Sequence, residues 1–81
     1  MDNDHLLKLL RLRASHEALS EGTIARNNGG YFDLPKRLAK GEGCGLKRYV
    51  EMVNSLDLTW PEDLEWPADI PRPSKSVRHA S

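Results

Sequence analysis

The chain has 81 residues, with twelve Lys and Arg against twelve Asp and Glu, a formal net charge of zero and 38% hydrophobic residues. That length allows at most one small domain with a modest core, and the single cysteine, Cys44, excludes an intrachain disulfide that could staple it. The acidic start Met1-Asp2-Asn3-Asp4, followed by apolar residues that Lys8, Arg11 and Arg13 interrupt, argues against a signal peptide, and no apolar run is long enough to span a bilayer, so a reducing, cytoplasmic setting is expected.

A first helix is expected from about Asp4 to Leu19. Asp2, Asn3 or Asp4 can cap it, and Leu6, Leu9, Leu10, Arg13, Ala14 and Ala18 recur near i, i+3, i+4 spacing. A second should run from Ser20 or Glu21 to about Asn27, with Ser20 as N-cap and Ile24 as its main apolar anchor. Asn27-Asn28-Gly29-Gly30 then stops it, because Asn and Gly tolerate positive φ. A third is expected from Tyr31 or Leu34 to Lys40, opened by Pro35 in its first turn and ended by Gly41 and Gly43. Leu34 and Leu38, one turn apart, face inward, and the aromatic residues Tyr31, Phe32 and Tyr49 are read as core. The fourth should span Gly45 to about Asn54, with Leu46, Tyr49, Val50 and Val53 on one face. The helical body is expected to end near Leu56.

Thr59-Trp60-Pro61-Glu62 has the pattern of a capping box, which predicts one or two further helical turns. Trp66-Pro67 and Ile70-Pro71-Arg72-Pro73 then favour extended backbone. The fold class expected is therefore all-α: a compact bundle of four or five short helices finished by an irregular Pro/Trp-rich strap. The domain is taken as residues 4–70, with 71–81 as a disordered tail and no internal repeat.

No set of residues is suited to catalysis. His5 and His16 lie about three helical turns apart and cannot share a metal, and Cys44 has no partner at ligand spacing. Gly41-Glu42-Gly43-Cys44-Gly45 lacks the lysine and threonine of a phosphate-binding loop and reads as an interhelical turn. An enzyme, a cofactor, a metal and a small-molecule substrate are therefore not expected.

Charge is more informative. From His5 to Arg48 there are nine basic and four acidic residues, a net +5, whereas 51–81 carries −3. A basic body with an acidic end suggests an anionic partner for the body. Within that body, Leu19 to Gly41 gives a short capped helix, a polar turn, and a second short helix whose outward side carries Lys36, Arg37 and Lys40, the order that a helix-turn-helix requires. Ser20-Glu-Gly-Thr23-Ile24-Ala25-Arg26, followed by Arg37-Leu38-Ala-Lys-Gly41, resembles the helix-turn-helix of small phage-repressor-like regulators of the Cro and C-repressor type. The resemblance covers about residues 5–55 and implies a transcriptional regulator that binds double-stranded DNA; because one small module offers few contacts and symmetric sites need paired readers, a homodimer is the expected form. The recognition element is either Ser20–Asn28 or Tyr31–Lys40. The first register puts Thr23, Arg26, Asn27 and Asn28 on DNA, and the second Tyr31, Lys36, Arg37 and Lys40. Lys47 and Arg48 join either set. Arginine can read guanine and asparagine adenine, while lysines hold phosphates.

Trp60 and Trp66, with Leu56, Leu58, Leu64 and Ile70, place much apolar surface near the chain end. They either complete the core as a strap folded over the helices or form an interface. The alternative function rests on the second case: a protein-interaction module, such as a phage- or toxin-associated adaptor, that docks through Trp60 and Trp66.

Overall fold

A computed structural model of the chain describes residues 3–72. Helix α1 (Asn3–Glu17) is built on closely spaced leucines, and Leu6, Leu9 and Leu10 are fully buried. Helix α2 (Glu21–Asn27) opens on Ser20, whose Oγ accepts the Thr23 backbone N–H at 3.1 Å. It buries Ile24 and Ala25. Helix α3 (Leu34–Ala39) has Pro35 in its first turn and buries Leu34 and Leu38, as their spacing predicts. Helix α4 (Leu46–Leu58) packs Met52, Val53 and Leu56 into the same core. The described residues are all helix, turn or irregular backbone, with no strand among them, and α1 packs against each of the other three helices.

One device ends the first three helices. The N–H two residues past each helix's cap returns to a carbonyl five residues earlier: Leu19 to Ala14 at 3.0 Å, Gly30 to Ala25 at 2.8 Å, and Glu42 to Arg37 at 2.9 Å. This is the Schellman arrangement, which needs a left-handed residue just before the donor. Gly29 and Gly41 supply it in α2 and α3, whereas α1 uses Ala18 at φ 56°. Helix α1 therefore stops at Glu17, two residues before the expected end.

Helix α4 runs a full turn beyond the expected Asn54, because burial of Leu56 rewards continuation. Among the described residues no further helix follows Thr59. Its hydroxyl is engaged backwards, donating to the Ser55 carbonyl at 2.8 Å and accepting from Arg13 Nη1 at 2.6 Å, so the capping box does not form.

Residues 60–72 instead form the strap, and the strap is a repeat that the sequence reading missed. Trp60-Pro-Glu-Asp-Leu64 and Trp66-Pro-Ala-Asp-Ile70 share one local structure. Each indole N–H donates to the carbonyl four residues on, Leu64 or Ile70, at 2.8 Å. In each unit the N–H of that same residue bonds the proline carbonyl, at 3.3 and 3.2 Å. The two indoles meet edge to face with centroids 4.9 Å apart. Each unit's aspartate reaches α1: Asp63 to His16 Nε2 at 3.1 Å and Asp69 to Lys8 Nζ at 3.1 Å. The strap thus runs antiparallel to α1. Its packing continues through Arg72, which bonds Asp57 at 2.6 Å and lies over the Trp66 ring at 5.1 Å. Pro71 and Arg72, expected in the tail, therefore belong to the strap, and the rest of that expected tail, residues 73–81, lies outside the described residues.

Candidate functional site

Among the described residues the Lys and Arg side chains fall into two groups. In the first, each charge is neutralised by a carboxylate: Lys8 by Asp69, Arg11 by Glu21 at 3.6 Å, Arg13 by Glu17, and Arg72 by Asp57. The second lies between residues 26 and 48, where six bases face only Asp33 and Glu42. There Arg37 and Glu42 approach to 3.9 Å, and among the described residues Arg26, Lys36, Lys40, Lys47 and Arg48 form no ion pair. Free positive charge is thus concentrated on the end of α2, on α3 and on the first turn of α4.

Tyr31 is where these elements meet. It follows the Gly29-Gly30 turn, is half-buried and packs against the core. Arg37 of α3 lies over its ring at 5.7 Å and Arg48 of α4 at 5.4 Å. Arg48 is further held by its Nη1–H, which donates to the Gly29 carbonyl at 2.7 Å. Gly29 supplies the turn's positive φ of 90°, and Gly30 packs against the Met52 terminal methyl, to which an added Cβ would come within 2.8 Å. Lys36 on α3 and Lys40 at its C-cap, one helical turn apart, are exposed beside Arg37, and Lys47 is exposed beside Arg48.

Of the sequence-designated set, the structure brings Tyr31, Arg37 and Arg48 into direct contact. Arg26 and Asn27 are exposed at the end of α2. Thr23 belongs to the cap at the other end, its hydroxyl 2.8 Å from that of Ser20. Asn28 is a correction. It is 4% exposed, its Nδ2–H donates to the Ile24 carbonyl at 2.8 Å, and its Oδ1 accepts from Ser55 Oγ at 2.7 Å. With its amide engaged at both ends, it joins α2 to α4 and presents nothing to a base.

Phe32 departs from expectation in the other direction. Read as core, it is 56% exposed. It lies over Gly22, where an added Cβ would sit 2.7 Å from the Phe32 carbonyl oxygen and 2.8 Å from its ring. Trp60 and Trp66, the residues of the docking alternative, are 7% and 9% exposed and buried in this chain's own core. Exposed large apolar side chains are instead Leu19 and Phe32 on the turns and Leu46, Val50 and Leu58 on α4. An open cavity of about 880 Å³ is bordered by the end of α4 and the strap, with Asp57 paired to Arg72 and with Glu62 and Glu65 in its lining.

Six residues, 28–33, separate α2 from α3, where the usual helix-turn-helix connection has three or four. Among the described residues no group of three or more His, Cys, Asp or Glu is placed to hold a metal ion, and no helix is long and apolar enough to cross a membrane. No family model, curated protein or solved structure matches the chain.

Proposed function

We propose that this chain binds double-stranded DNA through the basic side formed by the end of α2, α3 and the start of α4, as a helix-turn-helix-like regulator with a lengthened turn. The observation that carries the reading is the sorting of charge. Cations on α1 and the strap are neutralised by the chain's own carboxylates, whereas those between residues 26 and 48 are almost all left free. A polyanion gains most from cations that hold no carboxylate, because each such contact releases condensed counterions. The resemblance of residues 20–41 to phage-repressor-like regulators points to the same partner. One module this small makes few contacts, so two chains per site belong to the reading.

The test is a gel shift on nonspecific duplex DNA at low salt, repeated with increasing salt and read at saturation for stoichiometry. Binding that weakens steeply with salt, at two chains per site, is the expected result. Absence of binding even at low salt refutes the proposal.

A further inference from the structure

Resting on that reading, we propose that Arg37, Tyr31 and Arg48 form a phosphate clamp, which grips the DNA backbone without reading its sequence. The two arginines come from different helices and lie over one ring, so their guanidinium carbons are no farther apart than the sum of 5.7 and 5.4 Å. The ring holds both charges on the surface. The Gly29 carbonyl takes only one of the five N–H donors of Arg48. Arg37 and Glu42 are both more than half exposed at 3.9 Å, an arrangement with little energetic hold. Most donors of the pair therefore remain available to an oxyanion, and planar guanidinium groups match phosphate oxygens in pairs.

The same geometry argues against base reading. The major groove is about 8.5 Å deep, and an arginine that reads guanine must extend to its floor. Arg37 and Arg48 are folded back onto Tyr31, and Arg48 is tied to the protein backbone as well. The six residues of α3 give a helix only about 9 Å long, and two of its first three, Leu34 and Pro35, are buried. Arg26 and Asn27, exposed at the end of α2 and without such restraint, are left as the base-reading pair. Tyr31 is then a positioning residue: its ring sets the spacing of the two cations.

The experiment measures the salt dependence of affinity by fluorescence anisotropy, on several duplexes of unrelated sequence, for the full chain and for Arg37→Gln, Arg48→Gln and Arg11→Gln. Each clamp variant should lower the slope of log K against log salt by about 0.9 and weaken binding by the same factor on every duplex. Arg11→Gln, which removes a charge on α1, outside the basic side, should leave the slope unchanged. Tyr31→Phe should bind as the parent does, and Tyr31→Leu should bind more weakly on every duplex. Arg48 also holds the Gly29 carbonyl, so if its variant does not fold, Arg37→Gln carries the test alone. An unchanged slope in the clamp variants overturns the clamp, and so does a loss confined to one sequence. Both of those outcomes leave the parent chain bound to DNA, whereas failure of the parent to bind any duplex refutes the DNA reading itself.

Discussion

Ala18 occupies a position that the other two Schellman endings give to glycine. An L-residue with a Cβ gives up about 1–2 kcal/mol there, while glycine loses about 0.4–1 kcal/mol through its freer unfolded chain. Ala18→Gly should therefore stabilise the fold by roughly 0.5–1 kcal/mol, seen as a higher urea midpoint at unchanged m-value. Asn28 behaves oppositely. Asn28→Ala leaves the Ile24 carbonyl and the Ser55 hydroxyl without their buried partner, at a cost of about 1–3 kcal/mol. The same denaturation experiment measures it, and the salt slope of DNA binding should not change. Asn27-Asn28-Gly29-Gly30 announces a turn in the sequence. Which asparagine turns inward does not, because that depends on Ser55, 27 positions away.

At the scale of elements, the strap is held to α1 by polar ties as well as by its tryptophans. Asp69 shows one of them electrostatically: the hydrogen bond from Lys8 holds its carboxyl below the usual value, aided by a backbone hydrogen bond. A depressed folded pKa means that the tie is fully present above the unfolded value and is lost as pH falls through the folded one. An NMR titration of the Asp69 carboxyl carbon should give a midpoint below the ordinary aspartate range, and Lys8→Gln should move it back up. The helices were mostly legible in the sequence, since leucine spacing, Ser20, Pro35 and the glycine endings act locally. The end of α4 and the strap were not. Thr59-Trp60-Pro61-Glu62 fits a capping box as well as it fits a tryptophan-proline turn, and the choice is made by contacts of Thr59 with Arg13 and Ser55.

For the whole molecule, a net charge of zero conceals a division of labour. Glu17, Glu21 and Asp69 are spent on nearby bases, and the middle of the chain keeps most of its cations. The uneven distribution was visible in the sequence, but its consequence was not. A residue count cannot distinguish Lys8, held by Asp69, from Lys40, which forms no ion pair among the described residues. Nor does it show that Arg37 and Arg48, eleven positions apart, share one ring. The two readings of Trp60 and Trp66, core strap or interface, part for a related reason: composition shows two tryptophans near the chain end, but only the fold shows that they are buried in this chain's own core.

The duplicated strap has a consequence for how this protein can change over generations. Each Trp-Pro-X-Asp-aliphatic unit satisfies its own indole N–H within five residues. Gaining or losing one unit therefore leaves no orphaned donor in the other. Six residues, the step from Trp60 to Trp66, is then the natural quantum of length for this end of the molecule. An insertion or deletion of any other size would throw the tryptophans and the aspartates out of step with the helix beneath them.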